Sequence, residues 1–179
     1  MAKFLIIQTA FIGDVVLSTA VVEKLHRFFP DATIHFLVRK GNEGLLANNP
    51  HLQEVLIWDK KNNKIRNLLK LLARIRAEKY DKVINLQRYF ATGLLTAFSG
   101  AGESIGFDKN PLSFLFNTKV PHHFDPAHPR HEVERNNDLI AHFTDGSMNR
   151  PAIYPSAADE EKIRIYCSKP FITISPSSV

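Results

Sequence analysis

The chain has 179 residues, 44% hydrophobic and 23% charged, the composition of a soluble globular protein with one good core. Its apolar runs are too short to cross a bilayer, its first residues read as a strand rather than a signal peptide, and its lone cysteine, Cys167, gives no disulfide framework and suits a reducing cytosol. A net charge of +5 points to acidic partners: nucleic acid, anionic lipid or phosphorylated sugar.

Phe4 to Ile7 is a continuous apolar run, the pattern of a strand buried on both faces. It stops at Gln8-Thr9, turns through Ala10 to Ile12, and becomes helical at Gly13-Asp14, with Leu17, Val21, Leu25 and Phe28 on one stripe and Ser18, Glu23, Lys24 and Arg27 elsewhere. Strand, tight turn and helix open a parallel α/β sheet. A second such unit follows: a strand over 32–38, ended by Arg39-Lys40-Gly41, and a short helix to Asn48 broken by Asn49-Pro50. Glu54 to Trp58 is a third strand, followed by a basic loop and a helix from about Ile65 to Lys79 whose apolar face is Ile65, Leu68, Leu69, Leu72 and Ile75. Strands are expected again at 82–86 and 103–107, with a short helix over 89–98 between them. Residues 108–130, with four prolines, read mostly as loop, and 131–143 as a helix. Ser156 starts another helix, and Phe171 to Ile174 is a final apolar strand running into Ser175-Pro176-Ser177-Ser178. The expected division is a Rossmann-like domain over 1–145, a linker and helix over 146–169, and over 170–179 the first strand of a second α/β domain that the chain does not contain.

Asp14 is the residue that sets this opening apart. Such a carboxylate commonly satisfies free amides at a helix start. In an open parallel sheet, however, ligands sit beyond the carboxyl ends of the strands, where Asp14 lies, and it could there accept a proton from a sugar hydroxyl. A dinucleotide fold would want G-x-G-x-x-G in this turn, which has only Gly13 and a negative charge unfavourable to phosphate. Arg39-Lys40 could serve a 2′-phosphate, so an NADP-binding oxidoreductase domain stays open as an alternative, as does a non-catalytic module for anionic sugar or lipid. His122, His123, Asp125, His128 and His131 match no closed zinc pattern and read as loop residues. No Asp-x-Asp pair exists to hold a magnesium-bound sugar nucleotide. The nine Lys or Arg between Lys60 and Lys82 read first as a solvated helix face; a basic loop entering an amphipathic helix also suits an anionic membrane surface. Nucleic acid is not expected, since few aromatics interleave with these charges.

The stretch TAFIGDVVLSTAVVEKLHRFFPDATIHFLV resembles the bacterial heptosyltransferases of glycosyltransferase family nine, which carry a strand, a small-residue turn, Gly-Asp, an apolar helix and a Pro-Asp-Ala before the next strand. NLQRYFATGLLTAFSGAGESIGFD is similar to that family's segment leading to a Gly-Phe, HEVERNNDLI to its His-x-x-x-x-Asn helix, and ITISPSSV to the start of its second domain, with Ser177 where glycine is common. The resemblance covers the whole chain but only the amino-terminal half of the family. It implies a Rossmann-like parallel sheet flanked by helices, the amino-terminal half of a GT-B glycosyltransferase, and an inverting, metal-independent transfer of heptose from ADP-heptose to the lipopolysaccharide inner core. No cofactor beyond that donor is implied.

The position matching Asp14 is the family's proposed catalytic base. The implied acceptor is anionic, so cations should line its pocket: Arg88 first, then Arg39 and Lys40, with Thr9, Gly13 and His131 completing the acceptor side. Ser177 and Ser178 would begin the donor side, supplied by the second domain. Lys60, Lys61 and Lys64 are expected on a membrane-facing surface, the protein lying in the cytoplasm as a peripheral partner of the inner membrane. These 179 residues alone are expected to transfer nothing.

Overall fold

Alternation within the first strand sets the architecture. Along β1 (Lys3–Ile7), Phe4 and Ile6 belong to one hydrophobic cluster and Leu5 and Ile7 to another, all four buried, as a strand covered on both faces requires. The computed structural model describes residues 1–122 and 130–167, together with Pro170 and Ile172. In it β1 is followed by β2 (Thr33–Arg39), β3 (Glu54–Trp58), β4 (Lys82–Asn85), β5 (Glu103–Phe107) and β6 (Thr118–Val120). They form one six-stranded sheet in the order β3-β2-β1-β4-β5-β6, every pairing parallel. Ile7 stands opposite Leu37 on one side and Asn85 on the other, so the ends of three strands lie side by side.

Helices cover both faces, as parallel crossovers demand. On the Phe4 face, α1 (Ile12–Phe28) packs Val21, Val22 and Leu25 over Ile34, Phe36 and Ile84, and α4 (Glu132–Asp138) lies against α1. On the Leu5 face, α2 (Lys64–Ala77) and α3 (Phe90–Ala97) contribute Leu71, Ile75 and Leu95 over Leu37, Leu56 and Val83. The last helix, α5 (Ala157–Arg164), is capped by the Ser156 hydroxyl, which accepts from the Asp159 amide at 3.1 Å, and buries no residue.

Several elements depart from the sequence pattern. The short helix expected before Asn48 is a single turn of 3₁₀ helix, Glu43–Leu45. Residues 108–122 are not all loop: β6 pairs there with β5, too short and too exposed to leave a period-2 signature. The helix expected over 131–143 stops at Asp138 and resumes as a 3₁₀ turn, Ala141–Phe143. The buried side of α2 is Leu71 and Ile75 with Leu68 and Leu72 partly covered, whereas Ile65 and Leu69 are exposed. On α1, Leu17 and Phe28 are only half-buried, while Ser18 and Lys24 are fully enclosed. Lys24 is covered by a strap over residues 145–154, read from sequence as a connection from 146 onward. Lys24 Nζ donates to the carbonyls of Asp145 and Ser147, each at 2.6 Å. Further along, Ala152 N donates to Thr19 Oγ1 at 2.9 Å, and the Tyr154 hydroxyl donates to both oxygens of Glu23 at 3.1 Å. His123, Asp125, His128, three of the four residues of the strand expected over 171–174 (all but Ile172), Ser177 and Ser178 lie outside the described residues.

One glycine is required by close approach. A Cβ on Gly93 would sit 2.2 Å from Asn110 Oδ1, and Asn110 Nδ2 donates to the carbonyls of Gln87 and Tyr89 at 3.2 and 3.1 Å. Asn110, in the segment that follows β5, thus braces the β4–α3 loop. Gly93→Ala should displace it and destabilise the chain by about 1–3 kcal/mol, measured by urea denaturation.

Candidate active site

Sheet order places the site. The chain leaves β1 toward β2 and β3, and leaves β4 toward β5 and β6, so the two crossovers diverge at the carboxyl ends of β1 and β4 and open a crevice between their loops. A cleft of about 490 Å³ occupies this place. Its aromatic walls are Phe11, Trp58, Tyr89 and Phe90, its polar floor includes Thr9 and Gln87, and its cations are Arg39, Lys60 and Lys64, with no carboxylate among the lining residues. An adjoining cavity of about 580 Å³ shares Arg39, Trp58 and Lys60 and adds Lys40 and Lys61.

The β1–α1 turn at the centre is held by side chains from three other loops. Thr9 Oγ1 donates to Gln87 Oε1 at 2.6 Å, joining the β1 and β4 ends. Lys60 Nζ donates to the Thr9 carbonyl at 2.7 Å and lies 4.8 Å from the Trp58 ring centroid. Asn42 Nδ2 donates to the Ala10 carbonyl at 3.0 Å. Arg39 stacks over Phe11, its guanidinium carbon 4.7 Å from the ring centroid, which fixes that cation at the cleft wall.

Asp14 occupies the first turn of α1, half-buried. Its Oδ2 accepts the Phe11 backbone amide at 3.1 Å, the arrangement of a helix-capping carboxylate. Among the described residues its Oδ1 accepts no hydrogen bond. Asp14 is therefore both a cap and a carboxylate with one oxygen available. It does not itself line the 490 Å³ cleft; Phe11, to which it is bonded, does. Gly13 is exposed beside it, with open space around its Cα.

The other expected residues divide. Arg39 and Thr9 are in the cleft. Lys40 is tied to Asp59 at 3.1 Å; the Asn62 amide first, then the Lys40 ammonium and the Lys61 amide, hold Asp59 well below the usual carboxylate range, so this charge is matched within the chain. Lys60, expected on a membrane face, is turned inward, and burial first, then Arg39 and Lys64, lower its pKa to about 8. Lys64 is exposed at the cleft edge, and Lys61 is exposed on the loop. Arg88 is exposed on the β4–α3 loop, outside that cleft and near His122, whose pKa is lowered by burial and then by the Arg88 charge. His131 caps α4, its Nδ1 accepting from Val133 N at 3.2 Å, and lines neither cavity. Sequence reasoning missed Phe11, Trp58, Gln87 and Asn42; polar or aromatic residues directly after apolar strands were the available signal.

Comparison with known proteins places this arrangement in context. Residues 68–179 match the family described as Glycosyltransferase family 9 (heptosyltransferase). The chain is 30% identical over 114 residues to Lipopolysaccharide heptosyltransferase 1 of Campylobacter coli, covering 64% of this chain and 33% of the relative. It is 32% identical over 132 residues to Lipopolysaccharide heptosyltransferase 3 of Escherichia coli (strain K12), covering 72% and 38%. Among solved structures, a glycosyl transferase family 9 protein from Veillonella parvula DSM 2008 superposes with a TM-score of 0.77 at 22% identity, covering 93% of this chain and 49% of that one. E. coli ADP-heptose lps heptosyltransferase II superposes with a TM-score of 0.72 at 21% identity, covering 92% and 50%. The chain spans about a third of the length of these sequence relatives and half that of the structures.

Proposed function

Because the chain belongs to glycosyltransferase family 9, the heptosyltransferases, we propose that it forms the acceptor side of an enzyme that moves heptose from ADP-heptose to the lipopolysaccharide inner core. The observation that carries this reading is a carboxylate in the first turn of α1, one oxygen of which accepts no hydrogen bond among the described residues, beside a cleft of cations and aromatic rings at the sheet's switch point. Asp14 removes the proton of an acceptor hydroxyl as that oxygen attacks the anomeric carbon, and ADP leaves from the opposite face with inversion. Transfer proceeds without a metal. Arg39, Lys60 and Lys64 hold the anionic groups of the acceptor, Thr9 and Gln87 form its floor, and the exposed rings of Phe11 and Tyr89 take the faces of its sugar rings. Arg88, on the neighbouring loop, and His131 at the start of α4 are proposed at the outer reach of the acceptor, with Gly13 leaving room beside the base. The enzyme works on the cytoplasmic side of the inner membrane. The NADP-dependent and non-catalytic readings have no comparable support: the family match favours glycosyl transfer, and of the two cations suited to a 2′-phosphate Lys40 is already paired with Asp59.

Donor binding belongs to the part of the relatives that has no counterpart here, with residues 1–145 as the acceptor domain, 146–169 as connection, and Ser177 and Ser178 proposed at the donor side. Without that half there is no donor pocket and no closure to exclude water. The test is heptose transfer with ADP-heptose and a heptose-free core acceptor. The enzyme containing both halves should transfer in the presence of EDTA and yield the inverted anomer, whereas residues 1–179 alone should show no turnover. Turnover by the isolated chain, or retention of configuration, would contradict the assignment.

Lys60 adds a pH signature. Its pKa of about 8 means that the free cleft loses one positive charge as pH rises through that value. Acceptor affinity should therefore be full below pH 8 and decline above it, seen as a rising acceptor KM. Lys60→Arg, charged throughout this range, should flatten the profile.

A further inference from the structure

Helix α2 carries Lys64, Arg66, Lys70, Arg74 and Arg76 and no acidic residue. Arg74 pairs with Glu54, and Arg76 Nη1 donates to the Phe98 carbonyl at 3.2 Å. Lys64, Arg66 and Lys70 have no ion pair or side-chain hydrogen bond among the described residues. The helix hides Leu71 and Ile75 against the sheet yet leaves Ile65 73% and Leu69 57% exposed. Ile65, Leu69, Leu72 and Arg76 follow one another at spacings that share a single helical stripe. Since Arg76 reaches the end of α3, that stripe borders α3, where Phe90 and Phe98 are 58% and 48% exposed. Lys64 and Phe90 also line the 490 Å³ cleft, so the furrow between the two helices opens into it.

An exposed apolar furrow fringed by unpaired cations, with no carboxylate on either helix, is complementary to an anionic bilayer surface. There apolar side chains sink to the headgroup boundary while ammonium and guanidinium groups meet lipid phosphates. We propose that the α2–α3 furrow is a membrane-docking face, seating Ile65, Leu69, Phe90 and Phe98 at the boundary of an anionic bilayer with Arg66 and Lys70 on its phosphates. This face differs from the one expected from sequence: Lys60 belongs to the cleft, and the docking elements are the outward side of α2 and its border with α3. The docking itself stands on this geometry; its use, presenting a lipid-borne acceptor to the open side of the cleft, rests on the proposed function.

The test is co-sedimentation of the 179-residue chain with vesicles of phosphatidylcholine alone and of phosphatidylcholine with phosphatidylglycerol. Binding is expected only to the anionic vesicles and should weaken with salt. Replacing both Ile65→Ser and Leu69→Ser should lower affinity at least roughly tenfold, and Arg66→Glu with Lys70→Glu should do the same at low salt. All four side chains are exposed, so thermal melts should match the parent. Absence of binding to anionic vesicles, or equal binding by both double variants, would overturn the proposal. So would a dimer of the chain that the Ile65 and Leu69 substitutions dissociate, because the furrow would then be a contact between copies. If docking fails while Asp14→Asn still silences the complete enzyme, only the docking face is wrong; if docking holds and Asp14→Asn stays active, only the catalytic assignment is.

Discussion

Asp14→Asn in the complete enzyme is expected to lower kcat by roughly 10²–10⁴, the usual contribution of a well-placed general base, with little change in acceptor KM. The substitution suits the question because asparagine keeps the shape and the capping interaction. Its side-chain oxygen can still accept the Phe11 amide that Asp14 Oδ2 now accepts at 3.1 Å. What it loses is a basic oxygen and a charge favourable to the helix amino terminus, about 0.3–1 kcal/mol, too little to unfold a chain of this size. A thermal melt close to the parent together with the collapse in kcat separates the chemical role from the capping role. Activity within a few-fold of the parent would mean that Asp14 is only a cap and that another group takes the proton. Asp14→Ala is the less informative variant, since it removes cap and base together.

Lys24→Met should be a strongly destabilising change at a site remote from the catalytic turn. The Lys24 side chain is fully buried, and its ammonium is held by the carbonyls of Asp145 and Ser147 at 2.6 Å and by Asp145 Oδ1 at 3.3 Å. Methionine fills a similar volume but leaves both carbonyls without their charged donor. Hydrogen bonds to charged groups contribute about 1.5–3 kcal/mol each, and removing the lysine also relieves its desolvation. A net loss of about 2–3 kcal/mol follows, or roughly 5–10 °C in Tm for a chain of this length. Arg27, which also reaches Asp145 and Ser147 at 3.2 and 2.6 Å, stays in place but is exposed and does not substitute for a buried cation. An unchanged Tm would show that the strap over 145–154 is not held by Lys24.

The contrast between these two residues marks how far the sequence could be read. The place of Asp14 at the start of α1 was legible because a carboxylate at a strand–turn–helix junction is a local feature, set by neighbours within a few positions. Lys24 was misplaced because its burial comes from a strap about 120 residues away in sequence, and helical periodicity has no access to such a partner. Ile65 and Leu69 fail for the same reason in reverse. They keep the spacing of a core face, but α3 is short and leaves them uncovered. Lys60 looks like any other member of a basic loop until its contact with the Thr9 carbonyl, 51 residues earlier in the chain, is known.

From the order of its residues alone, this chain declares a parallel α/β sheet. Apolar strands buried on both faces, and the helices between them, are written in short-range periodicity, and the carboxylate at the first switch is written in a single position. The tertiary structure alone decided which side chains share the cleft, because Thr9, Lys60 and Gln87 come from three different strand–helix loops. Strand order brings those loops together. That order is chosen by the packing of two helical layers on one sheet, a property of the assembled core that no single stretch of sequence carries.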